Sequence, residues 1–281
     1  MSGILLHPFL WYPLAAALYA ALALRFWRSR QGVATLAQAP VGLRAGERIL
    51  LLLALALHGL TLAQELFGEG GMRFGFSLAL SLMLWLALVF YWIESFYTRM
   101  EGLQMLGLPL AAACVLMPAL FPGQRLLFNV DSLAFRTHFL IAMLAYSLFT
   151  LAALHALLMA LAEKRLHAGR MSPLIASLPP LMTMETLLFR LIHVAFLLLT
   201  LTLISGVFFS ESLFGKPLPF DHKTVFAIVA WFIFAALLLG RHLRGWRGRL
   251  ALRWTLAGFV ALMLAYVGSR FVIEVILGRA A

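Results

Sequence analysis

Two histidines occupy positions where an imidazole can bind a ligand at the edge of an apolar segment. His138 follows Phe135-Arg136-Thr137 at the start of one apolar run, and His222 lies in the connection 214–223 before another. That connection is too polar to cross a membrane and too apolar for a simple linker. Imidazoles ligate haem iron, and aromatic side chains can cover a porphyrin ring. The pattern fits a haem site with His138 and His222 as iron ligands. An interfacial loop whose aromatic residues dip into lipid is the alternative.

A second group of polar residues lies inside the apolar runs. His58 and Glu65 share one helical face, and Arg190 and His193 share another. Polar groups at membrane depth are costly, so we expect both groups, and His58 and His193 in particular, to face the bundle interior. There they can act as metal ligands, as a polar transport pathway, or only as hydrogen bonds between helices.

Hydrophobic helices are the elements that must position these side chains. The chain has 281 residues, of which 63% are hydrophobic and 12% charged, whereas about a quarter of a soluble domain is charged. A helix that crosses a bilayer needs roughly 20 mostly apolar residues. We therefore predict an all-α fold: a polytopic transmembrane bundle of about eight helices, with residues 1–281 as a single domain. The apolar runs cover residues 6–24, 49–66, 74–93, 103–120, 137–162, 187–209, 224–240 and 252–277.

The distribution of basic residues predicts the orientation of the bundle. The connections after the first, third, fifth and seventh runs hold 14 Lys and Arg residues, and the opposite side holds 6. Because basic connections stay in the cytoplasm, we expect both termini on the outer side of a bacterial inner membrane. Arg190 and Arg270 lie within apolar runs. Arg270 precedes Glu274 by four residues, a spacing at which the two side chains can pair on a helix.

Several other chemistries find no support in the sequence. The single cysteine, Cys114, excludes internal disulfides and cysteine zinc sites. There is no Gly-rich phosphate loop and no His-Glu-x-x-His motif. The basic stretch 241–253 is explained by membrane topology and anionic lipid, so no nucleic-acid partner is expected. No residue stands out as a catalytic nucleophile, and we expect an assembly factor rather than an enzyme.

The segment from Ser205 to Trp231 resembles the signature of the cytochrome c assembly (CcsA/CcmC-type) haem-handling family. In that family a periplasmic loop reads W-G-x-x-W-x-W-D-P-K, and the same register falls here on residues 214–223. The matching positions are Gly215, Asp221 and Lys223, and the differing ones are Phe214, Leu218, Phe220 and His222. The loop therefore has the family's register without its three tryptophans.

The flanking segments extend the resemblance to residues 130–275, and the size suits a HemX-like inner-membrane subgroup. Thr137-His138, followed by Ala145-Tyr146-Ser147, is similar to the helix that bears the family's first external haem histidine. The family's second external histidine follows the last of these helices, and residues 279–281 contain none. The resemblance thus carries an axial-ligand role onto His138, whereas His222 is nominated by chemistry and by its place in the loop.

The resemblance implies a haem-binding or haem-handling protein that is linked to cytochrome c maturation and presents haem at the outer face. Lipid, other cytochrome c assembly proteins and an apocytochrome are the expected partners. One alternative is a transporter, or an accessory subunit of one, that uses the intramembrane polar residues. Another is a structural subunit that has lost haem. The predicted cofactor-binding residues are His138, His222, Phe214, Gly215, Leu218, Phe220, Asp221, Lys223 and Trp231, and the predicted polar pathway comprises His58, Glu65, Arg190 and His193.

Overall fold

The structure is a computed structural model in which long helices account for nearly all of the chain that is described. The described residues are 10–31, 43–67, 72–97, 102–122, 126–127, 130–169, 178–214 and 221–278, with the backbone alone for 30–31 and 209–214. Within these ranges the fold is all-α, and a single bridge between Arg73 and Leu126 is the one strand-like pairing. The predicted fold class is confirmed.

Each of the eight predicted apolar runs contains a helix, and the fourth run contains two short ones. The last helix continues as two π-helical turns, Leu264–Gly268 and Val272–Ile276, joined by Ser269–Phe271; these three segments are called the α9 extension. The helices are α1 Trp11–Gln31, α2 Ala45–Leu66, α3 Phe76–Glu94, α4 Gln104–Cys114, α5 Met117–Leu120, α6 Leu133–His167, α7 Leu181–Phe214, α8 His222–Arg244 and α9 Arg249–Met263.

Six helices of the described chain are long and apolar enough to cross a bilayer. They are α2, α3, α6, α7, α8 and α9 with its extension. The first predicted run forms α1, in which Arg25 and Arg28 interrupt the apolar sequence, and its residues 6–9 lie outside the described ranges. The fourth run forms α4 and α5, which together make a shorter apolar helix, Gln104–Leu120. Eight helical elements were thus predicted correctly, although two of them do not qualify as spans by length and composition.

Side-chain caps set where the two helices that carry the candidate site begin. The Ser132 side chain accepts a hydrogen bond from the backbone N–H of Phe135 at the start of α6. At the start of α8, Asp221 accepts one from the backbone N–H of Thr224. Such caps satisfy N–H groups that have no partner within the helix. They place His138 in the second turn of α6.

Consecutive helices of the second half run antiparallel around α6, which packs against α3, α7 and α9. His138 near the start of α6 contacts Ser205 near the end of α7, and Glu163 near the end of α6 contacts Arg249 at the start of α9. The bundle therefore has two distinct ends. We call them the cavity end, which holds His138, and the paired end, which holds Glu163 and Arg249.

Candidate ligand-binding site

A cavity of about 420 Å³ lies at the cavity end, between α6, α7, α8 and the α9 extension. Its volume falls in the range of small-molecule sites, roughly 300–1,000 Å³. The wall is mostly apolar and rich in aromatic rings, with a small number of polar side chains. The aromatic lining residues are Phe74, Phe135, Phe139, Tyr146 and Tyr266, and the ionisable ones are His138, Asp221 and Lys223.

Neighbouring groups on α7 hold the His138 ring. Its Nδ1 lies 2.9 Å from the Ser205 hydroxyl, and that hydroxyl donates its proton to the Thr202 carbonyl at 3.1 Å. If the Ser205 hydroxyl uses its one proton for the Thr202 carbonyl, the imidazole proton lies on Nδ1 and the lone pair on Nε2. Metal-binding histidines are commonly oriented in this way by a bond to the other ring nitrogen. Gly206 also packs closely, since a Cβ there would lie 3.4 Å from the His138 Cε1.

Aromatic rings form one continuous wall of the cavity. Phe74 meets Phe139 edge to face, with ring centroids 5.0 Å apart, and lies 5.5 Å from Tyr266. Phe135 stacks on Phe139 at 5.8 Å. These distances are those of favourable aromatic pairs. The wall is a broad apolar surface adjacent to His138.

The first turn of α8 brings charge to the cavity. Lys223 and Asp221 both line it. The Asp221 carboxylate already accepts hydrogen bonds from the Thr224 backbone N–H at 3.0 Å and hydroxyl at 3.1 Å. The Lys223 ammonium lies 6.0 Å from the centroid of the Tyr266 ring. The cavity therefore combines an imidazole, an aromatic wall, a cation and a carboxylate.

The structure does not bring His222 into this cavity. His222 lines a separate pocket of about 330 Å³ with Phe226, Leu264 and Ser269 among its walls. Successive residues of an α-helix point about 100° apart. With Lys223 turned toward the cavity, its neighbour His222 faces elsewhere, so the two predicted iron ligands line different pockets.

The remaining predicted loop residues fall into two groups. Gly215, Leu218 and Phe220 lie outside the described residues, and only the backbone of Phe214 is described, as the end of α7. Trp231 lies lower on α8, where its Nε1 donates to the Thr200 hydroxyl at 2.9 Å. It does not line the cavity, and its contact joins α8 to α7.

The intramembrane polar residues of α2 form helix-to-helix hydrogen bonds. His58 is buried, with Nδ1 3.3 Å from the Tyr19 hydroxyl and Nε2 2.8 Å from the Ser81 hydroxyl. Glu65 accepts a hydrogen bond of 2.7 Å from Tyr12. The expectation that His58 faces the interior is confirmed. Both of its ring nitrogens are engaged in joining α1, α2 and α3.

The corresponding expectation for α7 is wrong. Arg190 and His193 are exposed on the outer face of that helix, and the His193 Nδ1 bonds to the Phe189 carbonyl of its own helix. The buried face of α7 instead carries residues such as Ile192 and Leu199. Arg190 and His193 are therefore not in the bundle interior with His58.

Glu274, which the sequence places four residues after Arg270, contacts the start of α3. Its Oε2 accepts a hydrogen bond of 3.2 Å from the backbone N–H of Phe76. The π-helical turn Val272–Ile276 is wider than an α-turn, so residues four apart are no longer stacked on one face. Gly75 accommodates this contact, because a Cβ there would lie 2.8 Å from the Glu274 oxygen.

Sequence reasoning found His138, Asp221 and Lys223 but missed most of the cavity wall. Phe74 comes from the segment before α3, far from the other lining residues in sequence. Phe135 and Phe139 are spaced i, i+4, with Phe135 one turn before His138 and Phe139 directly after it, which is a signal that the sequence did offer. Tyr266 falls in the family-like segment, but its place in the cavity depends on the α9 extension.

The fold and the cavity together define a polytopic membrane protein with a ligand-sized site near one end of its helix bundle. A comparison with known families narrows this class. The chain belongs to the Cytochrome C assembly protein family, whose model matches residues 47–277. The resemblance read from residues 130–275 is thus confirmed, and the match begins further toward the N-terminus.

Individual relatives agree with this family. The chain is 37% identical to the inner membrane protein YpjD of Escherichia coli K12 over 139 residues, which is 50% of this chain and 52% of the relative. It is 34% identical over 143 residues to an uncharacterized 28.8 kDa protein of Azospirillum brasilense, covering 50% and 52% of the two chains. It is 35% identical over 92 residues to the cytochrome c biogenesis protein CcsA of Gloeobacter violaceus, covering 33% of this chain and 27% of the relative.

These matches are partial in length. The chain spans about half the length of YpjD and of the Azospirillum protein, and about a quarter of CcsA. No solved structure matches the chain. The family, the relatives and the apolar helices identify a multi-pass protein of the bacterial inner membrane.

Proposed function

We propose that this protein binds haem in the cavity through His138 and presents it at the outer face of the membrane during cytochrome c assembly. The observation that carries the proposal is the His138 imidazole. The bond to Ser205 turns its ring, with the lone pair on Nε2, in an aromatic-lined cavity of about 420 Å³. A relative bearing the name cytochrome c biogenesis protein supports the process. The excess of basic residues in alternate connections supports the outer location of the cavity end.

The residues present fit a haem group. A porphyrin supplies four nitrogen ligands of its own, so a protein needs to add only axial ligands and an apolar enclosure. His138 would hold the iron, the Phe74 and Phe139 rings would cover the macrocycle, and Lys223 would face its acidic edge. When bound, haem would bring the vinyl groups that react with apocytochrome thiols. The chain's own task is to hold and orient the macrocycle and to shield it from water.

The proposal is tested by the absorption spectrum of protein purified in mild detergent, with haem added in titration. We expect a Soret band whose position reports imidazole ligation. His138→Ala should weaken haem binding by about tenfold or more and shift the band, because the strongest single contact is lost. Added imidazole should restore the band. An unchanged spectrum and affinity in His138→Ala would refute the site.

Two further histidines provide matched controls. His193→Ala removes an imidazole from the lipid-facing side of α7, and His222→Ala removes one from the neighbouring pocket. Both variants should keep the spectrum and affinity of the unchanged protein. If His222→Ala abolishes haem binding as His138→Ala does, the two histidines share the iron and the start of α8 must reorient on binding.

The location of the cavity end on the outer side of the membrane is tested separately with topology reporters. Reporter fusions after His167 and after residue 281 should show cytoplasmic and periplasmic activity, respectively. The reverse result would place the cavity end in the cytoplasm. It would leave haem binding possible but would remove presentation to an outer partner.

A further inference from the structure

A second open volume lies between α3, α4, α6 and α9. It measures about 240 Å³ and shares none of its lining residues with the His138 cavity. We call it the apolar crevice. Its lining residues lie halfway along the spanning helices: Thr150 is the middle residue of α6, Leu84 adjoins the middle of α3, and Met263 lies at the middle of Arg249–Ile276. The crevice is therefore at the depth where a bilayer consists of hydrocarbon.

The described residues that line the crevice offer no free polar group. All of their side chains are apolar except those of Thr150 and Cys114. The Thr150 hydroxyl donates to the Tyr146 carbonyl of its own helix at 2.8 Å, and a buried thiol such as that of Cys114 behaves as a small hydrophobic group. A water molecule needs several polar partners, and purely apolar cavities stay dry. Water therefore does not fill the crevice.

The crevice has a buried floor and an exposed rim. Met83, Cys114 and Leu154 on the floor are at most 7% exposed, whereas Leu110 of α4 and Leu157 of α6 on the rim are 43% and 39% exposed. An exposed leucine halfway along a spanning helix faces the lipid of the bilayer. The opening between α4 and α6 therefore leads from the lipid to the floor.

Packing, rather than hydrophobic transfer, decides what occupies such a site. A hydrocarbon chain is already in an apolar solvent when it lies in the bilayer, so it gains no hydrophobic free energy in the crevice. An unfilled gap, however, deprives its lining atoms of dispersion contacts, and these contacts hold membrane helices together. A narrow, flexible hydrocarbon chain can restore them. The acyl chains of the surrounding phospholipid supply such chains at this depth.

We propose that the apolar crevice holds the terminal part of one phospholipid acyl chain, which enters between Leu110 and Leu157. The chain completes the packing of α3, α6 and α9 at the middle of the membrane. The ligand is thus a structural lipid with a defined seat, in contrast to the lipid that covers the outer surface of the bundle. This site does not depend on haem binding, because the crevice and the His138 cavity have separate walls.

The test places the purified full chain in nanodiscs that contain a phospholipid with a diazirine on the last carbon of one acyl chain. Illumination links the diazirine to the side chains that it touches, and mass spectrometry locates the links. We expect links to Cys114 and Leu154 on the floor, and to Val260, which is 56% exposed on α9. Leu151 is fully buried outside the crevice and should give none. A diazirine beside the ester group should not reach the floor.

A variant that fills the crevice locates the effect. Ala153 lines the crevice, so Ala153→Phe places a ring in the space that the chain needs. Links to Cys114 and Leu154 should then fall to the level of Leu151, while links to Val260 remain. Ala257→Phe is the matched control, because it adds the same ring at an exposed position of α9. It should leave all links unchanged.

Thermal unfolding in detergent gives a second measurement. After removal of lipid, Ala153→Phe should unfold about 2–4 °C higher than the unchanged protein, because the ring replaces the lost packing. Phospholipid added back should raise the unfolding temperature of the unchanged protein and should not raise that of Ala153→Phe.

Three results would overturn the proposal. Floor residues of the unchanged protein that are linked no more than Leu151 would show that no acyl chain enters. Links that persist in Ala153→Phe would show that the chain reaches these residues by another route. Removal of the floor links by an isoprenoid quinone, added at a small fraction of the phospholipid, would assign the crevice to an isoprenoid tail instead. Should Ala153→Phe not fold, the smaller Ala153→Leu makes the same comparison.

Discussion

The two ends of the helix bundle treat their charged residues in opposite ways. At the paired end, Glu185 accepts a bond of 2.6 Å from Arg241, lies 3.8 Å from Arg247 and also accepts from the Gly248 backbone N–H. At the cavity end, Arg270 is buried without such a partner among the described residues. The helices α7 and α8 contribute to both ends, and α9 with its extension does likewise.

This difference is what we expect if the cavity end binds a ligand and the paired end serves stability. A membrane bundle that needs only stability can pair its charges and pack its turns, as the paired end does. The cavity end instead keeps an open volume beside two cations and a histidine. Functional sites commonly keep charged and polar groups beside an open volume, at a cost in stability that the rest of the fold offsets.

The largest effect on stability is expected at the paired end. Glu185→Gln should destabilise the protein by about 3 kcal/mol, because Arg241 and Arg247 lose a counterion that is only 10% exposed. Unfolding in mixed detergent and denaturant measures the loss. Glu163→Gln breaks the pair with Arg249, whose side chain is 59% exposed, and should cost less than about 1 kcal/mol. Equal losses in the two variants would show that burial is not what makes the paired end stable.

A second test concerns packing at the same end. A Cβ on Gly240 would overlap the Trp246 ring, so Gly240→Ala should cost about 2 kcal/mol through displacement of the indole. Gly46, near the start of α2, has open space around it. Gly46→Ala should stay within about 0.5 kcal/mol of the unchanged protein. Thermal unfolding of both variants in one detergent provides the comparison, and a neutral Gly240→Ala would mean that the turn after α8 is loosely packed.

Removal of a charge at the cavity end should raise the stability of the protein, whereas Glu185→Gln lowers it. Arg270→Met replaces a buried guanidinium whose Nε has no hydrogen-bond acceptor by an apolar side chain, and we expect stability in the absence of ligand to rise by about 1 kcal/mol. The same denaturation assay used for Glu185→Gln makes the comparison direct. A loss of stability comparable to that of Glu185→Gln would contradict the contrast between the two ends.

A loss of stability no larger than the change expected for Arg270→Met is expected between the two ends. Trp231→Phe keeps an aromatic ring but loses the bond from Nε1 to the Thr200 hydroxyl, at a cost of about 1 kcal/mol. Porphyrin affinity should be unchanged, since Trp231 does not line the cavity. A clear fall in affinity would place Trp231 in the ligand site, as the family resemblance first indicated.

The sequence predicted the helices well because their signal is local. A run of apolar residues has few alternatives to a helix in a bilayer, where every backbone polar group needs an internal partner. The family register around Asp221 and Lys223 is local as well, and both residues line the cavity. Helical periodicity was less reliable for the direction of polar faces: it was correct for His58 and wrong for His193. A stripe on one helix does not reveal which side its neighbours occupy.

By itself, the sequence determined that the chain is a helical membrane protein and that His138 begins a spanning helix next to aromatic residues. These properties depend on composition and on residues within one or two turns of each other. Only the tertiary structure decided that Phe74 and Tyr266 meet beside His138, that His222 turns into another pocket, and that Glu274 contacts the start of α3. The reason is physical: a cavity forms where helices distant in sequence fail to close against each other, and a single π-helical turn is enough to change which side chains meet there.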